Sequence, residues 1–344
     1  MRRCALLVVL LIACSGAPAL GAEKTDVIVL INGDRITGEI LSLNRGRVEL
    51  KTDHAGTIEI EWDKIVSVTS PHRFTITTAN GTRLIGTLGR TDAAGTLRLG
   101  GEGGDRVLSV AEITAIEPLG RSFWAKLTGS IGSGFTYTRS SGVSQFTLNS
   151  DTTYRRPEFL ASMSGSATLT SQSEDAAFGT VAYAQFFYQR YHGRRWFIAG
   201  LGQVETNRSL GLELRTQGGG LTGVRLVNTN RAQVQVGAGI VGNDERGVDV
   251  DPTQNIEGLV VLKTSYYTYD RPKTNLDVTV QYFPSLNNWG RQRFQLTSAV
   301  KREVWKDFYL GLNLYDTFDS APPNPGAARN DVGITTSISW SFGS

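Results

Sequence analysis

The sequence predicts an all-β chain. Residues 120–344 are expected to form an about 12-stranded antiparallel transmembrane β-barrel. A periplasmic pair of small β units is expected to precede it. Three observations carry this. From Phe123 onward, long segments alternate apolar and polar residues with a period of two. The polar partners are mostly Gly, Ser, Thr, Gln and Asn, as on the lumen side of a membrane barrel. Beyond the first 22 residues, no apolar run reaches the about 18 residues that a helical membrane span needs.

Residues 1–22 read as a secretory signal peptide. Arg2 and Arg3 form the positive start, Leu6 to Ala13 the apolar stretch, and Ala17, Ala19, Gly21 and Ala22 the small residues near a cleavage point. A rival reading takes Leu11-Ile12-Ala13-Cys14 as a lipoprotein box, with Cys14 lipidated. Both cysteines, Cys4 and Cys14, lie in this leader, so ordinary cleavage leaves a chain without disulfides or thiol chemistry. Loss of Arg2 and Arg3 lowers the net charge from +3 to +1. A near-neutral chain gives no case for nucleic acid.

Residues 23–70 and 71–119 read as two copies of one unit. Ile31-Asn32-Gly33-Asp34-Arg35-Ile36-Thr37-Gly38 matches Ala79-Asn80-Gly81-Thr82-Arg83-Leu84-Ile85-Gly86, and Ile60 and Ile65 match Leu108 and Ile113. Asn-Gly favours the positive φ of tight hairpin turns. Val48, Leu50, Ile58, Ile60 and Trp62 then alternate as strands do. Each copy is a bent unit of four or five strands that resembles small SH3-like or Sm-like barrels. His54 and His72 lack further ligands at matched spacing, so both read as surface loop residues.

In the C-terminal part, twelve strands are expected at 123–138, 144–156, 158–170, 176–191, 194–206, 210–227, 231–242, 255–269, 273–284, 291–303, 307–318 and 330–342. The last is the clearest: Val332, Ile334, Thr336, Ile338, Trp340 and Phe342 share one face. The connections alternate in length. Those at Arg155–Glu158, His192–Arg194, Asn228–Asn230, Asp270–Pro272 and Glu303–Lys306 are tight. Those at Asn243–Gln254, Pro284–Gly290 and Ala321–Asn330 are longer. Short periplasmic turns and long outer loops are the barrel pattern, which puts both termini in the periplasm. Trp124, Trp196, Trp305, Trp340 and Phe342 fall on the short-turn side and are expected to form an interfacial girdle. Alternation sends Lys126, Asp151, Glu213, Arg215, Arg225, Glu257, Lys263, Asp277, Arg293 and Lys301 to the lumen. There they either pair and seal it or line a narrow aqueous path.

The opening Trp124-Ala125-Lys126-Leu127-Thr128-Gly129-Ser130 and the closing Ile334-Thr335-Thr336-Ser337-Ile338-Ser339-Trp340-Ser341-Phe342 carry a resemblance. Over about residues 120–344 the chain resembles the salt-induced outer-membrane proteins grouped as domain of unknown function 481. The resemblance implies an outer-membrane location and leaves activity open. Gly343 and Ser344 depart from it, since assembly signals of such barrels usually end on the aromatic residue.

Catalytic chemistry finds little footing. A serine nucleophile needs a base within about 3 Å, usually His, and the one histidine after residue 120, His192, falls in a short turn. Asp244, Glu245, Asp249 and Asp251 read as a solvated acidic loop that matches no calcium motif, Gly247 notwithstanding. Gly218-Gly219-Gly220 lies mid-strand, where it permits a close approach rather than a phosphate loop. The expectation is therefore no enzyme, cofactor or metal, but a narrow solute channel or envelope-structural protein. An outer-membrane hydrolase and a barrel-anchored periplasmic binding module are the alternatives. Expected partners are outer-membrane lipid, the barrel-assembly machinery at the last strand, and a periplasmic protein or peptidoglycan at residues 23–119.

Overall fold

The computed structural model describes residues 25–340, except 94, 102–103, 121–122, 124–125, 139–141, 173–174, 208–211, 248–250, 307, 323–325 and 327. The expected leader, Trp124, Asp249 and Phe342 lie outside the described residues. Those described form two antiparallel sheets, of nine and twelve strands.

The first sheet opens as a meander of β1 (Asp26–Leu30), β2 (Arg35–Asn44), β3 (Arg47–Lys51) and β4 (Thr57–Glu61). A single 3-10 turn, Trp62–Lys64, leads into β5 (Ile65–Thr78), whose first half pairs back onto β1. The second half of β5 starts the same order again. It is followed by β6 (Arg83–Arg90), β7 (Thr96–Gly100), β8 (Arg106–Ser109), the 3-10 turn Val110–Glu112 and β9 (Ile113–Pro118), which pairs back onto β5. The turns correspond bond for bond. Ile31 N donates to Lys64 O at 2.9 Å, and Ala79 N donates to Glu112 O at 2.8 Å.

One apolar core serves both passes, because the alternate residues of each strand point to the same interior. Ile28, Ile40, Leu50 and Trp62 meet Ile76, Leu97, Ile113 and Ile116 there, all nearly inaccessible. The Trp62 indole N–H donates to Val110 O at 2.6 Å, tying the two 3-10 turns together. Buried Asp26 is supplied with donors by Ile40 N at 2.7 Å and by the Ser70 hydroxyl, as a buried carboxylate requires.

The second sheet is a twelve-strand meander in chain order. Its strands are β10 (Leu127–Thr138), β11 (Val143–Arg155), β12 (Phe159–Gln172), β13 (Asp175–His192), β14 (Trp196–Asn207), β15 (Leu212–Asn228), β16 (Ala232–Gly247), β17 (Thr253–Thr268), β18 (Thr274–Pro284), β19 (Gln292–Trp305), β20 (Phe308–Asp319) and β21 (Asn330–Trp340). Register keeps the alternation coherent from strand to strand. Val236, Leu262, Val280 and Leu296 form a row on the apolar face. Gln235, Lys263, Thr279, Thr297 and Tyr315 form the adjacent row on the other face. Large apolar residues of the first face, Ile131, Phe186, Ile240, Ile334 and Ile338 among them, are exposed.

The sheet curls about its polar face. Arg293 on β19 donates to Gln217 on β15 at 3.0 Å. In a flat sheet, strands four apart would be about 19 Å distant. The enclosed side is not polar throughout. Phe197, Leu201, Leu221, Val241, Leu259 and Phe283 form a buried apolar cluster over β14–β18. Gly219 sits within it, where a Cβ would lie 2.3 Å from Ile240 O, so this position of the glycine run does serve a close approach.

One expected loop is strand instead. Residues 243–247 continue β16, with Asn243 opposite Asn255 and Glu245 opposite Thr253. Glu245 is fully buried. Its charge read as a solvated loop, but the ladder runs on past the apolar stretch because Glu245 finds guanidinium partners inside the curl.

Candidate functional site

The curl encloses a chamber of about 610 Å³, lined by residues from β11 round to β20. Its walls are largely carboxamides and hydroxyls. Gln185 and Gln203 lie side by side on β13 and β14, and Gln281 and Gln295 lie side by side on β18 and β19. Gln189 donates to Gln235 at 3.2 Å. Tyr183, Phe187 and Phe197 add aromatic surface, and Asp151 and Lys263 add one charge of each sign.

Toward the long connections the interior is filled by paired charges. Arg215 donates from Nε to Glu245 at 2.7 Å and also pairs with Glu205. Arg291 reaches Glu245 at 2.9 Å and Asp319 at 2.6 Å. Arg293 donates from Nε to Glu257 at 2.8 Å, and Asn243 donates to the same carboxylate at 2.8 Å. Three guanidiniums thus face four carboxylates, and each carboxylate oxygen has at least one donor. Such completeness is what makes buried ions tolerable.

At the short-turn end the nine-stranded sheet docks onto the turns of the twelve-stranded sheet. The β2–β3 turn projects Arg45, which has a φ of 49°. This left-handed conformation is uncommon for a residue with a side chain. Its guanidinium donates to Asp277 at 2.6 Å and to Ser265 at 3.1 Å. The Arg45 carbonyl accepts from the Tyr269 hydroxyl at 2.7 Å. Arg45 and Arg47 lie over the rings of Tyr267 and Tyr269 at 5.5 and 3.7 Å. Asn230 donates to Ile113 O at 2.8 Å. Lys64 pairs with Asp270 at 2.9 Å, and Arg231 reaches both Asp63 and Asp270 at 3.3 Å.

The two Asn-Gly turns differ in this docking. A Cβ on Gly81 would fall 1.7 Å from Arg194 O, whereas nothing lies within 4 Å of the corresponding position on Gly33. A recess of about 520 Å³ remains beside the docked turn, lined by Arg45, Glu117, Lys126 and Arg155. Burial raises the Glu117 carboxyl above its ordinary range, against the pull of Arg155.

The structure distributes the expected interior residues among these places. Asp151 and Lys263 line the chamber, and Arg215, Glu257 and Arg293 belong to the ion-pair network. Asp277 receives Arg45, and Lys126 lines the recess. Arg225 lies over the Tyr191 ring at 4.7 Å and donates to Arg194 O at 3.1 Å. Lys301 lies over the Tyr309 ring at 4.9 Å. Glu213 is exposed instead, because a register shift beside Leu214 gives the buried position to Leu212. Sequence reasoning missed Glu205, Glu245, Arg291, Asp319 and Arg45. Alternation on an extended β16 could have found Glu245, but nothing local marks Arg45.

Trp196, Trp305 and Trp340 are exposed at the short-turn ends of β14, β19 and β21. Trp289, outside the expected girdle, is exposed at the opposite end. His192 closes β13 opposite Trp196. His72 lies 3.4 Å from the Thr25 hydroxyl and 3.9 Å from Asp26. Among the described residues no group of three or more His, Cys, Asp or Glu side chains could hold a metal ion.

A long antiparallel meander curled around a polar chamber, with its apolar residues outward, defines the class of protein. The family described as a protein of unknown function, DUF481, matches residues 128–342, and the chain belongs to that family. The matched region takes in the second sheet from the second residue of β10 onward and none of the first. No curated protein matches the chain.

Proposed function

We propose that the twelve-stranded sheet closes as an outer-membrane β-barrel of a Gram-negative envelope, with the duplicated N-terminal units as a periplasmic module. The protein acts as a narrow, non-enzymatic solute channel whose periplasmic mouth that module covers. The resemblance to salt-induced outer-membrane proteins agrees with this setting. The exposed apolar face and the tryptophans at the short-turn ends support membrane insertion. The observation that carries the gating reading is Arg45, seated inside the mouth on Asp277 and Ser265. His192 ends β13 rather than lying in the expected turn, and it is not among the residues that line the chamber, which argues against a hydrolase base there.

An envelope-structural role is the second reading, favoured by the buried ion pairs that fill one end of the interior. Planar-bilayer recording on the full chain separates the two. Channel function predicts a low wild-type conductance whose open fraction rises several-fold in Arg45→Ala and Asp277→Asn. Silent bilayers for all three proteins would leave the structural role. Conducting variants indistinguishable from wild type would remove the module as the gate.

A further inference from the structure

We infer that the chamber is a binding site for a small, uncharged, polyhydroxylated solute of mono- to disaccharide size. The inference rests on the channel reading above and names the solute class that the interior recognises.

The chemistry lies in the pairing of wall groups. Gln185 beside Gln203, and Gln281 beside Gln295, present two sets of adjacent carboxamides to one cavity. Each carboxamide has donors and an acceptor side by side. A sugar hydroxyl is likewise both donor and acceptor, so neighbouring hydroxyls can satisfy both halves of an amide. Ser162, Ser164, Thr279 and Thr297 extend this lining with more groups of dual character. Phe187 and Phe197 supply apolar surface for the C–H face of a ring.

Charge argues in the same direction. Of the three charged residues that line the chamber, Glu205 is held by Arg215. Asp151 and Lys263 remain, and their charges cancel. A strongly charged solute would leave water without a matching set of countercharges, which is costly in a confined space. The volume of about 610 Å³ lies within the about 300–1,000 Å³ typical of small-molecule sites.

The test uses the full chain in lauryldimethylamine oxide micelles, which carry no sugar headgroup. Maltose is the probe, with sodium glutamate and choline chloride as charged controls, and binding is read by saturation-transfer NMR and calorimetry. Maltose should bind and both controls should fail. Gln185→Leu with Gln281→Leu should weaken maltose binding at least tenfold, while Val278→Leu on the outer face leaves it unchanged. Heat-modifiable gel mobility checks that each variant is folded. Gln281→Glu, of nearly equal size, gives the same loss should the double variant misfold. Absence of maltose binding in wild type, or full affinity in the folded variants, overturns the inference. Maltose that binds but does not enter liposomes would overturn the channel and leave the site. Ion conductance without maltose binding would do the reverse.

Discussion

Glu257 has no solvent exposure, yet it remains compatible with the interior because two of its neighbours donate to it. Arg293 grips both oxygens and Asn243 adds a further hydrogen bond. Removing one partner of such a pair leaves an uncompensated buried charge, so Arg293→Met should destabilise the fold by about 3–5 kcal/mol. The double change Arg293→Met with Glu257→Leu should recover most of that loss. Urea titration of the heat-modifiable band in micelles measures both. Arg215, Glu257 and Arg293 were legible in the sequence because each sits at an even spacing within an alternating run. Glu245 was not, because an acidic residue among Asp244, Asp249 and Asp251 read as loop, and Arg291, the first residue of an expected strand, was not assigned to the interior. Their partners across the curl place both in the interior.

The contact between the sheets depends on turns, and turns are where sequence says least. The alternation that marks the strands of the second sheet carries no information about what a hairpin tip touches. Arg45 meets Asp277 across 232 positions of chain. At this scale the pH dependence follows from Lys64 and Asp270. Their mutual hydrogen bond holds the Asp270 carboxyl below its ordinary value of 3.8 and the Lys64 ammonium above 10.5. A lowered carboxylate contributes docking stability that is present above pH 3.8 and lost as pH falls through the shifted value. A raised ammonium contributes stability that is present below pH 10.5 and lost as pH rises past it. Amide exchange at residues 267–270 should therefore be slow and nearly level from pH 5 to 9 after correction for intrinsic rates, and faster at both extremes. Both groups are exposed, so high salt should flatten the dependence. Level protection at the extremes in low salt would show that this pair does not hold the contact.

Across the whole molecule, the two ends of the twelve-stranded sheet differ. The turns at Gly193, Asn230 and Asp270 share the end covered by the first sheet, and the long connections share the other. In the proposed orientation, cysteines placed at Asp249 or Asn324 should react with an impermeant maleimide on intact cells, and one at Gly193 should not. Gly193 is the better inner probe than Asn230, whose side chain is already engaged with Ile113 O. Labelling of Gly193→Cys alone would invert the orientation. Within residues 26–118 the Asn-Gly pairs lie at the hairpin tips between β1 and β2 and between β5 and β6. The shared core was not legible, because the sequence gives no sign that Trp62 of one pass reaches Val110 of the next.

β5 belongs to both passes: residues 65–69 pair with β1, and residues 74–78 pair with β9. A single strand is therefore the spine of the first sheet, and no cut at its midpoint leaves two whole pieces. The mechanical consequence is leverage. The unencumbered tip at Asn32–Gly33 and the seated tip at Arg45 hang from the same spine, joined through β1 and β2 by main-chain hydrogen bonds. A tug on the free tip is not absorbed by a slack linker between independent beads. It becomes torque on the guanidinium seated on Asp277.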